Sequence, residues 1–298
     1  MPWISRSIAA LALVVVLWAS VTAWGAVVHG HPAYAVWLSL TAAAALASLA
    51  WSLRSRPERR GWWLVLRIVG MAAALGWVAT TAWLRPFTAT EPALSAMQSD
   101  DAVTVTETAT AITLEPVGGA SGVGVVFYPG ARVDPRAYAS HLAPLARDGR
   151  EVIIVKEPLG IAFLSLGTLA RVEAGDGAWA AAGHSLGGTV AALEAESADA
   201  PALVFWASYP AGDMTGYAGA VLSVSGSEDG LSTPAKIDAS RADLPASTVF
   251  HQVDGAGHAQ FGSYGPQPGD GTPSLTDQDA RLAISETTRT WLEEVDAR

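Results

Sequence analysis

Gly183-His184-Ser185-Leu186-Gly187-Gly188 lies between the apolar run Trp179-Ala180-Ala181-Ala182 and the helix-forming stretch Val190-Ala191-Ala192-Leu193. This order predicts a short strand that turns sharply into a helix, with Ser185 at the apex. Small residues two before and two after the serine let the backbone turn without side-chain collision. Gly188 lets the helix pack close against the sheet. Alone, Gly-x-Ser-x-Gly is weak, because an idle serine in a glycine-rich turn fits it equally well. The rest of the chain must supply the context.

Working outward, Val103-Thr104-Val105-Thr106 and Ile112-Thr113-Leu114 alternate about a polar turn and predict an antiparallel hairpin. Val123–Tyr128 and Val152–Val155 are continuous apolar runs, as in strands buried on both faces. Trp179–Ala182, Ala202–Ala207, Ala220–Val224 and Thr248–Val253 are further strands. Helices are expected from Pro135, capped by Asp134, to Ala146, then over Leu164–Ala174, Leu186–Ser197, Thr233–Ala242 and Asp277–Val295. Strands alternating with helices predict an α/β fold: a mostly parallel sheet with helices on both faces and the hairpin as an antiparallel edge. Sites in such sheets form beyond the carboxyl ends of the strands.

A serine hydroxyl becomes a good nucleophile when a base takes its proton and a carboxylate fixes the base's tautomer. Only two histidines follow Ser185. His251 falls inside a strand pattern and reads as structural. His258 falls in the loop after that strand, within reach of a rim, and is the candidate base. Asp229 sits on the turn after Val221-Leu222-Ser223-Val224 and is the candidate acid. Glu228 beside it points the other way, and Asp213 is an outlying alternative. An oxyanion would be held by the backbone N–H groups of Leu186, at the helix start, and Ala131, in the loop Pro129-Gly130-Ala131-Arg132. Arg132 fits either steering of an anionic substrate or a surface ion pair.

Phe127-Tyr128-Pro129-Gly130, Gly183-His184-Ser185-Leu186-Gly187-Gly188, Gly226-Ser227-Glu228-Asp229-Gly230 and Gly257-His258-Ala259-Gln260-Phe261 resemble the α/β-hydrolase superfamily, in particular its small lidless branch, α/β-hydrolase fold family 5. The resemblance spans roughly Val123 to Phe261. It implies an α/β-hydrolase fold and esterase-type hydrolysis through an acyl-enzyme, without a cofactor, with Ser185, Asp229 and His258 as triad. Pro129 departs from the pattern, since many relatives carry His before the oxyanion glycine. About a dozen residues separate the strands ending at Ala207 and starting at Ala220, too few for the lid that larger relatives insert there. The segment Phe261–Pro273 reads equally as a wall of the pocket or as a lead into the last helix.

The first 90 residues carry one acid and seven arginines; the remainder carries 27 acids against 11 bases, and nine of the 12 tryptophans lie in the first part. One uniform soluble body does not sort charges and indoles this way. Ile8–Val28, Ala33–Leu53 and Trp62–Leu84 are long apolar runs, interrupted only by Arg67, and predict three transmembrane helices within residues 1–84. Arg54-Ser55-Arg56-Pro57-Glu58-Arg59-Arg60 places the second connection in the cytoplasm and the domain over residues 102–298 outside a cell membrane. A rival reading makes the first run a cleaved signal peptide, which leaves that placement unchanged. Residues 85–101, rich in Pro, Thr, Ser and acids, read as a tether. The acidic domain disfavours nucleic acid as a partner, and three spans whose only charged residue is Arg67 give a transporter no site. With no cysteine there is no thiolate metal site, and Asp270, Asp277 and Asp279 lack the spacing of a calcium loop. No metal is expected. A membrane-anchored serine hydrolase acting on a small acyl ester is the leading expectation. Behind it stand a noncatalytic binding or sensory domain and a peptidase or thioesterase using the same triad. Oligomeric state is not legible.

Overall fold

A computed structural model describes residues 2–53, 61–173 and 177–297 of the chain. Two compact units result, Met1–Pro86 and Phe87–Arg298.

The first unit holds α1 (Pro2–Thr22), α2 (Trp24–His29), α3 (Pro32–Ser52) and α4 (Trp62–Trp83). Trp3–Thr22, Pro32–Ser52 and Trp62–Trp83 are long and apolar enough to cross a membrane. The expected first span, Ile8–Val28, is thereby corrected: α1 begins earlier, includes Arg6 and stops at Thr22. Arg6 fits inside the helix because Ser52 at the end of α3 accepts from its Nε (Oγ, 3.0 Å) and Nη2 (backbone O, 2.9 Å). Ala23, at φ −134°, separates α1 from α2. The arginine-rich connection 54–60 lies outside the described residues. Small side chains fill the interior, with Ala9, Ala12, Ala45 and Val78 in contact. Trp37 and Trp77 stack at 3.8 Å, and their indole N–H groups donate across α3 and α4 to Thr81 (3.0 Å) and Thr41 (2.9 Å).

The second unit is an eight-stranded sheet in the order β1-β2-β4-β3-β5-β6-β7-β8. Its strands are β1 (Val103–Glu107), β2 (Ala111–Pro116), β3 (Gly124–Tyr128), β4 (Val152–Val155), β5 (Trp179–His184), β6 (Ala202–Trp206), β7 (Ala220–Gly226) and β8 (Val249–Val253). β1 and β2 form the expected antiparallel edge, β2 runs antiparallel to β4, and every other pairing is parallel. Helices α5 (Ala139–Arg147) and α9 (Asp277–Asp296) pack Leu142, Leu145, Ile284, Trp291 and Leu292 on one face. On the other, α6 (Thr168–Glu173) and α7 (Leu186–Ser197) bury Leu169, Val190 and Ala191 against Val126, Tyr128 and Phe205. A last helix, α8 (Pro234–Ala239), starts at the Thr233 cap and continues as a 3-10 turn over Ser240–Asp243.

Two expectations are corrected. The helix expected over Leu164–Ala174 begins only at Thr168, because Gly167 takes φ +79° and 3-10 turns occupy Pro158–Gly160 and Ala162–Ser165; residue 174 lies outside the described residues. The stretch read as a tether over 85–101 joins the fold from Phe87 onward. Phe87 pairs with Val133, Ala93 is fully buried, and Leu94 and Met97 pack on the core. Its apolar residues lack periodicity because the segment is irregular, yet they still find a partner surface.

Candidate active site

β5 delivers the backbone to Ser185 at φ +53° and ψ −125°, a conformation that costs a residue with a Cβ about 1–3 kcal/mol. The surroundings hold it there. Its N–H donates to the Trp206 carbonyl (3.0 Å), and its own carbonyl accepts from Ser208 Oγ (2.6 Å) and the Gly188 N–H (3.0 Å). A Cβ on Gly187 would collide with the carbonyl oxygens of Tyr128 and Pro129, and one on Gly183 with the Gly187 backbone. Only glycine permits this close crossing of β3, β5 and α7. Half-buried, Ser185 does not use its hydroxyl to cap α7.

Asp229 and His258 meet one strand-end loop away. His258 Nδ1 lies 2.8 Å from Asp229 Oδ2, and neither side chain is exposed. Asp229 Oδ1 accepts from the N–H groups of Leu231 (2.8 Å) and Ser232 (2.7 Å). An ionised carboxylate only accepts, so Nδ1 carries the proton and Nε2 is the free basic nitrogen. Nε2 is buried and has no hydrogen-bond partner among the described residues. The structure thus joins Asp229 to His258 and does not join His258 to Ser185 by a hydrogen bond. Such bonds commonly tighten only with substrate bound. Glu228 is exposed beside the buried Asp229. Asp213 caps its own turn at Thr215, and His251 is an exposed residue of β8.

The N–H groups of Leu186 and Ala131 take no part in a backbone hydrogen bond among the described residues. The loop bearing Ala131 is fixed on three sides. Arg132 (φ +61°) donates its N–H to Gly160 O at 2.7 Å, Phe87 donates to Arg132 O at 2.7 Å, and the Gly130 N–H donates to Tyr138 Oη at 2.9 Å. Arg132 places its guanidinium 5.1 Å from the Phe87 ring centre.

Three features escaped the sequence reading. Tyr138 Oη accepts from the Gly130 N–H and is hydrogen-bonded to His184 Nδ1 at 2.8 Å. His184 is fully buried between Phe261 and His258, at 5.9 and 4.6 Å between ring centres, and burial holds it well below the usual imidazole range, so it stays neutral. The motif treats this position as variable, and nothing in its spacing announced a partner. Asp270 is the second feature. Its Oδ1 accepts from the N–H groups of Gly230 (3.1 Å), His258 (3.0 Å) and Gly271 (2.7 Å), and its Oδ2 from Ala259 (2.8 Å). Burial pushes this carboxyl up, but the four donors outweigh it and leave it below the usual range. One side chain therefore ties the Asp229 loop to the His258 loop. In the same segment as Asp270, Tyr264 is buried, with its ring centre 6.2 Å from that of His184. Glu157, at the end of β4, is the third: both carboxyl oxygens are buried without a partner among the described residues, and burial drives its pKa well above the carboxylate range.

The described residues contain no cluster of three or more His, Asp or Glu able to hold a metal.

A family model described as "Alpha/beta hydrolase family" matches residues 124–281. No curated protein matches the chain. Similar solved structures include a protein from Thermoplasma acidophilum described as a predicted CIB-like hydrolase, at 12% identity and TM-score 0.48, covering 63% of this chain and 99% of that one. Est1E from Butyrivibrio proteoclasticus aligns at 12% identity and TM-score 0.48, covering 66% and 100%. XC6422 from Xanthomonas campestris, described as a serine hydrolase without lid, aligns at 14% identity and TM-score 0.46, covering 65% and 96%.

Proposed function

We propose, from the premise that this chain belongs to the alpha/beta hydrolase family, that it is a membrane-anchored serine hydrolase cleaving carboxylic esters through an acyl-enzyme. Ser185 Oγ attacks the acyl carbon as its proton passes to His258 Nε2. Asp229 holds the imidazole in the tautomer that leaves Nε2 free and stabilises the imidazolium that forms. The N–H groups of Leu186 and Ala131 receive the charge that develops on the carbonyl oxygen. Collapse of the tetrahedral intermediate expels the alcohol, which takes its proton from His258. A water deprotonated by Nε2 then attacks the acyl-enzyme, releasing the acid and restoring Ser185.

The observation that carries this reading is the buried Asp229–His258 pair, at 2.8 Å with Nε2 unpartnered, at the same end of the sheet as the strained Ser185 turn. The apolar helices of residues 1–84 support the anchor, and the arginine-rich connection 54–60 supports an extracytoplasmic hydrolase unit. Turnover of a panel of acyl esters, thioesters and peptides by the purified full-length protein tests it. Esters are expected to be cleaved best, with a burst of alcohol equal to the enzyme, and Ser185→Ala is expected to lower kcat by on the order of 10⁶. Equal hydrolysis by wild type and Ser185→Ala would refute the assignment.

A further inference from the structure

Leu84-Arg85-Pro86 is all that separates the end of α4, at Trp83, from Phe87. Phe87 is already hydrogen-bonded to the loop that carries Ala131, through its N–H to Arg132 O (2.7 Å) and its carbonyl to the Asp134 N–H (2.9 Å). Three residues on, Thr90 donates its N–H to Ser263 O at 2.8 Å, just beyond the turn that begins at His258. The segment leaving the last apolar helix is thus bonded to both sides of the proposed site. Four residue steps reach at most about 14 Å, which bounds the chain from Trp83 to Phe87.

A second observation is independent of the first. Pro158 to Ala170 contains no charged residue. Its Gly160 carbonyl accepts from Arg132, which puts it against the same oxyanion loop. The sheet unit's other exposed large apolar side chains, Val117, Leu193, Val249 and Leu282, are far apart in sequence, whereas this loop exposes Phe163 (42%), Leu164 (56%) and Leu166 (48%) within four residues. Adjacent exposed apolar side chains mark a contact surface. The connection between β6 and β7 is too short to form a lid.

We propose that the loop 158–170 rests in the lipid interface beside the rim, and that the site takes its acyl ester out of the bilayer, so that its substrates are membrane-resident lipids. The proposal rests on the hydrolase reading and on α4 as a membrane span. A second protein copy or a soluble partner would fit the apolar trio too, but a link of three residues to an apolar span favours lipid as the occupant.

The chain has no cysteine, so Leu164→Cys gives one attachment point for an environment-sensitive fluorophore. Full-length protein in phosphatidylcholine vesicles containing nitroxide-labelled lipid is compared with the same label at Leu282→Cys, an exposed position on α9 (54%). The label at 164 is expected to shift to the blue and to be quenched at least about twofold by the nitroxide lipid, and the label at 282 is not. A label at 164 as wet as that at 282, or shielded without lipid quenching, overturns the proposal. In the same vesicles, F163S/L164S/L166S is expected to lower the ratio of embedded diacylglycerol hydrolysis to soluble short-chain ester hydrolysis about tenfold. An unchanged ratio overturns the substrate assignment. Wild-type protein that cleaves neither ester refutes the hydrolase reading instead, and the fluorescence still decides the membrane contact.

Discussion

The two units of this chain treat their large apolar side chains differently. Among the N-terminal helices Leu11, Val14, Leu17, Leu40, Leu46, Leu64, Val65, Ile68 and Val69 point outward, while Ala9, Ala12, Ala19, Ala23, Thr41 and Thr81 are buried. In the sheet unit Phe127, Phe205, Trp206, Ile112, Leu142 and Ile154 are buried. Hydrophobic burial drives packing where water is the alternative. Where lipid is the alternative, leucine gains nothing by turning inward, and close packing of small residues with interhelical hydrogen bonds decides the interface. The Trp37–Thr81 and Trp77–Thr41 pairs are that second kind of contact, and the glycine-lined crossing at Ser185 belongs to the first unit's opposite: a crowded interior that fixes a strained backbone.

Glycines break this comparison most sharply. Gly187→Ala drives a methyl into the carbonyls of Tyr128 and Pro129 and is expected to cost at least about 3 kcal/mol, or to prevent folding. Gly70→Ala in α4 meets nothing within 4 Å and is expected to be neutral or to gain up to about 1 kcal/mol in helix propensity. Thermal unfolding of the two variants in detergent reads the difference; equal shifts would mean that the turn is not crowded.

Asp270 sharpens the comparison within the sheet unit, because its bonds position backbone rather than fill space. Asp270→Ala frees both site loops and is expected to lower kcat by about 10² with a smaller effect on KM, since misplacement of a reacting group by about 1 Å costs that much. Asp270→Asn keeps an oxygen for the Gly230, His258 and Gly271 donors and is expected to recover most of the loss. Steady-state kinetics of both variants checks this; a KM effect alone, or no rescue by Asn, would contradict the positioning role.

The smallest effect is expected among the membrane helices. Thr81→Val leaves the Trp37 indole N–H without its acceptor and should cost about 0.6 kcal/mol. Reversible unfolding in mixed micelles measures it, and a cost above about 2 kcal/mol would show that these pairs act as water-soluble cores do.

The sheet and its strand-to-helix turn were legible because local demands produced them. Continuous apolar runs encode doubly covered strands, and only glycine fits around Ser185, so both leave marks within a few residues. The hydrogen bonds of Asp270 were not legible, for they join positions up to 40 residues apart and use backbone donors that any residue type supplies. Tyr138 and His184 pair across 46 residues, and neither stands in a pattern that names the other. Residues 87–101 misled through composition: Pro, Thr and acids read as solvent-exposed, whereas a few aperiodic apolar residues suffice to dock the segment. Arg6 misled through charge, since an arginine bonded to the carbonyl end of a neighbouring helix extends an apolar helix instead of ending it.

The central claim is that Ser185 is activated by the His258–Asp229 pair. Covalent capture tests it most directly. Full-length protein is treated with a fluorophosphonate, and the adduct is mapped by peptide mass spectrometry in wild type, Ser185→Ala and His258→Ala. The account predicts one adduct, on Ser185, absent from Ser185→Ala and formed at least about 10³ times more slowly in His258→Ala. Folded wild-type protein that takes no label, or labelling of Ser185 that His258→Ala leaves at the same rate, would contradict it.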